Sequence, residues 1–159
     1  MLERAIAPQA LQGESSQMKI QNLVSTDTSG RSVSAGLLLM RASAGLSLFL
    51  KHGMEKFTGY STMVRHFPDP IHIGAHAGLA YALLSDGICS LLVVLGLATR
   101  PAAALILINL LTAFFLVHKA AFFTDGHVEL VFLYIAIFAA ILFTGAGRFS
   151  VDARVNAAD

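Results

Sequence analysis

Long apolar stretches separated by short polar segments dominate the chain after its first thirty residues. A helix crosses the hydrocarbon core of a bilayer with roughly 20 predominantly apolar residues. If one charge inside a stretch is allowed, four stretches meet this requirement: about 32–50, about 73–97, from just after Pro101 to about 117, and about 128–144. The pattern therefore predicts four transmembrane helices.

A soluble four-helix bundle is the alternative. Each stretch is apolar nearly all round and lacks the polar stripe of a surface helix. Composition favours lipid as well, because 55% of the residues are apolar, 13% are charged and the mean hydropathy is +0.68, whereas soluble domains carry about 25% charged residues. Small residues inside the stretches suit close helix packing in a membrane. The predicted fold class is all-α, an integral membrane four-helix bundle.

The ends of the chain are of a different kind. Residues 1–30 are rich in Gln, Ser and Thr and lack the apolar run of about 7–15 residues that a signal peptide needs. We interpret them as a flexible polar N-terminal tail, followed by a transmembrane domain over 31–154 and a short C-terminal tail over 155–159.

The orientation of the bundle is predicted from Lys and Arg near the helix ends. Four spans place both termini on one side of the membrane, and basic residues are slightly more numerous on that side. They are Arg31, Arg100, Arg148 and Arg154, with Arg4 and Lys19 in the tail, against Lys51, Lys56, Arg65 and Lys119 on the other side. We therefore expect both termini in the cytoplasm.

Two charges fall inside the predicted spans. Ionisable groups in a membrane are costly and are by default functional candidates with a partner. Counting along the helices places Arg41 and Asp86 at similar depth near the midplane. We predict that they form an ion pair, aided by Ser85 or Ser90, which either fixes the register of two helices or has a proton or substrate role.

A second group of polar residues gathers at the opposite ends of the spans, around the long predicted loop 51–72. Three interpretations are open: interfacial side chains that extend to the headgroups, a quinone headgroup site, or a metal site. A quinone site needs donors to two carbonyl oxygens, a proton carrier and an apolar channel. The residues proposed for it are Lys56, His118 and Glu129, with nearby Phe114, Phe115, Phe122, Phe123 and Phe132.

Metal and nucleotide chemistry have weak support in the sequence. His72 and His76 have the i, i+4 spacing of two ligands on one helix face, which is a weak signal by itself. The single cysteine, Cys89, excludes a multi-cysteine metal site, and no haem, iron–sulfur or nucleotide motif is present. The net charge of +1 gives no reason to expect a nucleic-acid partner.

Three stretches resemble recurring landmarks of the DoxX family of small four-helix membrane proteins. They are LLLMRASAGLSLFLKHGMEKF in and after the first span, SDGICSLLVVLGLATRPAA at the end of the second, and GAGRFSVD after the fourth. The family more often has Glu at the position of Asp86. The resemblance runs from about Ser34 to Arg154, and its matching residues include Arg41, Gly45, Gly53, Lys56, Phe57, Asp86, Gly87, Gly96, Thr99, Arg100, His118, Glu129 and Tyr134.

The resemblance implies a multi-pass protein of a bacterial cytoplasmic (inner) membrane, near quinone or oxidative-stress chemistry. Some members resemble subunits of thiosulfate:quinone oxidoreductase, so a quinone-linked oxidoreductase subunit with a site near the outer face is the function expected. Quinone would be its cofactor, and a soluble or membrane redox protein its partner, with homo-oligomers also compatible. The alternatives are a non-enzymatic scaffold or anchor for a redox complex, and metal handling at the outer histidines.

Overall fold

A computed structural model describes residues 30–123, 126–155 and 157 of the chain, with the side chains of 126 and 127 excepted. Almost all of the predicted N-terminal tail and most of the C-terminal tail lie outside these residues. The described part consists of helices and the turns that connect them, so the prediction of an all-α fold is confirmed.

Four long helices are followed by one short helix. Their bounds are α1 Arg31–Met63, α2 Ala75–Leu95, α3 Thr99–Val117, α4 Gly126–Thr144 and α5 Val151–Val155. By length and hydropathy, α1, α2 and α3 are able to cross a membrane. The apolar part of α4, Val128–Thr144, is shorter but still within the usual range for a span. The chain is a multi-pass membrane protein.

The helices pack in chain order. The first half of α1 lies along the last turns of α2, α2 contacts α3, α3 lies along α4, and α4 also contacts α1, which closes the bundle. Gly45 allows the first of these contacts, because a Cβ there would lie 2.9 Å from the carbonyl oxygen of Ser90. Apolar side chains fill the interior, including Leu48, Val93, Ile106, Phe138 and Ile141.

The first helix is longer than predicted. It continues past Leu50 to Met63, so most of the predicted loop 51–72 is helical and the turn begins only afterwards. The polar segment after Leu50 indicated a loop because hydropathy reports contact with lipid, not helix formation. Within this continuation, Gly53 packs directly against α2, where a Cβ would lie 2.7 Å from the carbonyl oxygen of Asp86.

Three wide turns interrupt these helices. Each is a π-helical segment: Phe49–Gly53 in α1, Leu84–Cys89 in α2 and Ala113–Val117 at the end of α3. Such segments are rare and are found frequently at functional sites. The first two pack against each other, and α3 contacts the second.

The chain after α4 ties the ends of three helices together. Gly145 and Gly147 both have positive φ, +78° and +74°, which turns the chain back towards the bundle. The carboxylate of Asp152 then accepts hydrogen bonds from the backbone N–H groups of Ala98 (2.7 Å) and Thr99 (3.0 Å). Asp152 thus caps the N-terminus of α3 from a distant part of the sequence.

Candidate functional site

Asp86 is a buried carboxylate whose two oxygens are both hydrogen-bonded. It is 4% exposed and lies in the π-helical segment of α2. Lys56 Nζ forms an ion pair with Oδ2 at 2.8 Å. Asn109 Nδ2 donates to Oδ1 at 3.0 Å, and the hydroxyl of Ser85 donates to the same oxygen at 3.1 Å. A buried charge is tolerated when it is paired and hydrogen-bonded in this way.

Lys56 reaches this acid because α1 continues beyond the predicted end of the span. Its side chain is 12% exposed, and its ammonium group also donates to the backbone carbonyl of His52, one turn earlier, at 3.3 Å. The close approach at Gly53 brings the two π-helical segments together. Lys56 therefore lies inside the bundle and not, as the sequence indicated, in an interfacial loop.

The predicted ion pair between Arg41 and Asp86 is wrong. The guanidinium of Arg41 is fully buried and donates to the backbone carbonyls of Val93 (3.0 Å) and Phe149 (2.8 Å). Val93 lies in the last turn of α2, and its carbonyl also accepts a hydrogen bond from the N–H of the C-cap residue Gly96 at 3.1 Å. Arg41 thus caps that helix end, and Gly96 leaves room for it, since a Cβ there would collide with the guanidinium.

A cavity of about 370 Å³ lies beside the ion pair, and we call it the central cavity. Its volume is in the range of small-molecule sites. Each of the three π-helical segments contributes to its wall. Its polar lining residues are His52, Lys56, Asp86, Asn109, His118 and Tyr134, and the others are Leu48, Phe67, Pro68, Ala82, Leu110, Ala113, Val117, Leu130 and Val131.

The two ends of the central cavity differ in how far their side chains are exposed. Asp86 and Lys56 form a nearly closed polar end, whereas the apolar side chains of Val117 and Leu130 are 38% and 46% exposed on the outer surface of the bundle. The arrangement suits an amphipathic molecule with a polar head that accepts hydrogen bonds and an apolar remainder directed towards lipid.

A comparison with family models matches residues 36–119, slightly more than half of the chain, to DoxX. The chain belongs to the DoxX family. The match contains Arg41, Lys56, Asp86, Asn109 and His118, so in this DoxX protein the ion pair and most of the polar lining of the cavity lie within the family segment. No curated protein and no solved structure matches the chain.

The three residues proposed for a quinone site separate into two groups. Lys56 and His118 both line the central cavity of the DoxX bundle. Glu129 is exposed and does not line it. The structure therefore does not bring Glu129 to the cavity that Lys56 and His118 share, because the position of a residue near a helix end does not determine which face of the bundle it occupies.

The phenylalanines near Glu129 form an aromatic cluster of their own. Phe114 and Phe122 both contact Phe132, with ring centroids 6.1 and 5.6 Å apart. Phe115 and Phe123 join at the edges of the cluster, and Phe123 is 97% exposed. None of the five lines the central cavity.

The two histidines proposed as weak metal ligands do not share a helix face. α2 begins at Ala75, so His72 lies in the preceding turn with a φ of +57°, and both imidazoles are exposed. Asp69 shapes that turn by accepting hydrogen bonds from the backbone N–H groups of Ile73 and Gly74. The i, i+4 spacing therefore does not bring the two imidazoles together. Among the residues that the structure describes, no three metal-binding side chains form a group.

Three polar lining residues were missed by the sequence analysis. Asn109 is a lone amide inside an apolar stretch, which is a usable signal because buried polar groups need partners. Tyr134, whose hydroxyl lies 2.7 Å from that of Ser47, matches a family landmark, but its sequence position does not place it in a cavity. His52 follows the first predicted span, and its place in the wall follows from the π-helical segment of α1.

Proposed function

We propose that this DoxX protein binds a quinone headgroup in the central cavity and serves as the quinone-binding subunit of an oxidoreductase in a bacterial cytoplasmic membrane. The observation that carries the proposal is the buried Lys56–Asp86 ion pair, with Asn109, at the closed polar end of an apolar-walled cavity.

A quinone headgroup is a flat apolar ring that carries two carbonyl acceptors. Lys56 is the donor for one carbonyl, because its ammonium group has three N–H donors and two of them are used, by Asp86 and by the carbonyl of His52. His118 lines the same cavity and is the second donor proposed. Leu110 and Val131 supply the apolar contacts for the ring.

Reduction of a quinone to a quinol takes two electrons and two protons. We assign the electrons to a redox partner protein that carries a reduced electron-transfer group. The protons go to the two carbonyl oxygens, which become hydroxyls. Lys56 and His118 are the proton donors in this scheme.

The test is quinone binding by purified protein, with three variants. Lys56→Gln removes the charged donor, Ala82→Leu fills the central cavity without changing charge, and Glu129→Gln is the matched control outside the cavity. A hydrogen bond to a charged group contributes about 1.5–3 kcal/mol, so we expect the dissociation constant to rise roughly tenfold or more in Lys56→Gln. Ala82→Leu should weaken binding as well, while Glu129→Gln binds as the wild type does.

Two outcomes contradict the proposal. One is the absence of saturable quinone binding by the wild-type protein, which favours the membrane scaffold and makes the redox partner the next object of study. The other is a loss of binding in Glu129→Gln with none in Ala82→Leu, which moves the site to the exposed end of α4. Melting temperatures of all variants, measured in the same detergent, show whether each remains folded.

A further inference from the structure

A smaller cavity of about 130 Å³ adjoins the central cavity, and we call it the side cavity. The two share part of their walls, formed by Phe67, Pro68, Asn109, Ala113 and Val117. The side cavity therefore begins where the central cavity ends, on the side of the turn between α1 and α2.

The outer part of the side cavity is apolar and reaches the surface. Ile71, Ile73 and Ile108 line it and are each 52–54% exposed. Gly78 of α2 also lines it and, having no side chain, does not fill it. Asp69 is the one carboxylate in its wall, and its oxygens accept hydrogen bonds from the backbone of the turn.

The volume of the side cavity, about 130 Å³, is about a third of that of the central cavity. Its mostly apolar walls give water few partners. A short branched hydrocarbon segment fits both its size and its lining.

We propose that the side cavity holds the first segment of the isoprenoid tail of a quinone whose headgroup lies in the central cavity. The inference rests on the proposed function and adds the substrate class: a long-tailed membrane quinone, whose tail leaves the bundle between Phe67 and Ile108. Because apolar burial stabilises binding in proportion to area, the tail contributes affinity at this cavity that a tail-less quinone lacks.

The experiment compares the affinities of tail-less, one-isoprene and two-isoprene quinones for wild-type and variant protein. Gly78→Leu fills the side cavity from α2, where an added Cβ lies 3.4 Å from the ring of Phe67, and Thr112→Phe fills it from α3. Leu130→Phe is the matched control, on the other apolar rim of the central cavity. All proteins are measured in one detergent, so partitioning of each quinone into micelles cancels between variants.

We expect the wild-type protein to bind the one-isoprene quinone about tenfold more tightly than the tail-less one, as net burial of about two methyl or methylene groups predicts. Gly78→Leu and Thr112→Phe should lose that gain and bind the tail-less quinone within about twofold of the wild type, because the headgroup site is unchanged. Leu130→Phe should keep the gain.

Two results overturn the inference while leaving the proposed function intact: a tail that adds no affinity in the wild type, or a gain that is lost in Leu130→Phe and kept in both side-cavity variants. The second result places the tail at the Val117–Leu130 rim. Absence of binding for every quinone overturns both proposals together.

Discussion

At the scale of single residues, the main feature is that Arg41 and Asp86, which the sequence predicts to form an ion pair, have separate partners. Asp86 is satisfied by Lys56, Asn109 and Ser85, and Arg41 is satisfied by backbone carbonyls at the other end of the bundle. The cost of leaving a charge unpaired in a low-dielectric interior explains why each charged group has several polar partners, although the Nε of Arg41 has none.

A double-mutant cycle tests these partners. Removing one member of a buried pair costs about 3–5 kcal/mol of unfolding free energy, so Asp86→Asn and Lys56→Gln should each destabilise strongly. The double variant should lose less than the sum of the two, by about 0.5–3 kcal/mol, because the residues interact. Arg41→Gln combined with Asp86→Asn should be additive within about 0.5 kcal/mol.

The cycle is measured by reversible unfolding in mixed micelles. Strong coupling between Arg41 and Asp86, together with additivity between Lys56 and Asp86, is the pattern that contradicts the ion pair described here.

The close approach at Gly53 gives a second residue-scale prediction. Gly53→Ala places a Cβ 2.7 Å from the carbonyl oxygen of Asp86, and overpacking of this kind costs about 1–3 kcal/mol. Gly36→Ala is the matched control, since its Cβ meets nothing within 4 Å and alanine favours the helix by up to about 1 kcal/mol. Thermal unfolding in detergent should show a lower melting temperature for the first variant only, and equal melting temperatures would argue against the tight helix contact.

At the scale of elements, the π-helical segments determine which residues meet. The wide turn of α1 brings His52 to the central cavity, that of α2 contains Asp86, and that of α3 supplies Ala113 and Val117. An unbroken α-helix rotates each following residue by a fixed angle, so an inserted wide turn shifts the face of every residue after it. Counting along ideal helices therefore places these side chains wrongly.

The cap on α3 gives a prediction of pH dependence. Partial burial by itself raises the pKa of the Asp152 carboxyl, but hydrogen bonds from Thr99 and Ala98 and the charge of Arg41 outweigh it and hold the pKa below its usual value of 3.8. When the pKa of a carboxyl is lower in the folded than in the unfolded protein, its stabilising effect is complete at pH values above the unfolded-state pKa. The effect is lost as the pH falls through the folded-state pKa.

Asp152→Ala should therefore lower stability at pH 7 by about 0.5–2 kcal/mol, the usual cost of a lost N-cap. The difference from the wild type should shrink below about pH 4, as the native carboxyl becomes protonated. The stability of Asp152→Asn, which keeps an acceptor oxygen, should lie between those of the wild type and Asp152→Ala. Unfolding measured from pH 7 to pH 3 checks this, and a difference that does not change with pH would mean that the carboxylate charge has no part in the cap.

At the scale of the whole molecule, the bundle has two chemically different ends. One end is tied by Arg41, Gly96 and Asp152, which connect the chain after α4 to α2 and α3. The other half contains the π-helical segments, the ion pair and both cavities. Rigid connection at one end and a ligand-sized space in the other half suit a protein that holds a small molecule within the membrane.

Membrane topology is a prediction at this scale. Arg100 and Arg148 should face the cytoplasm, with Arg65 and Lys119 on the other side, and all four side chains are exposed. Single cysteines introduced at these positions, in a Cys89→Ser background, should be labelled by an impermeant reagent from opposite sides of oriented membranes. Labelling of Arg100→Cys from the outer side would reverse the orientation.

The sequence by itself determined the membrane environment, the all-α class, the spans and the family, because each depends on the local length, hydropathy and order of residues. It also identified Lys56, Asp86 and His118 as notable polar residues. Only the tertiary structure decided that Lys56 and not Arg41 pairs with Asp86, that Asn109 joins them and that Glu129 lies elsewhere. These facts depend on where helices cross and where their turns widen, and such geometry arises from packing between residues far apart in the chain.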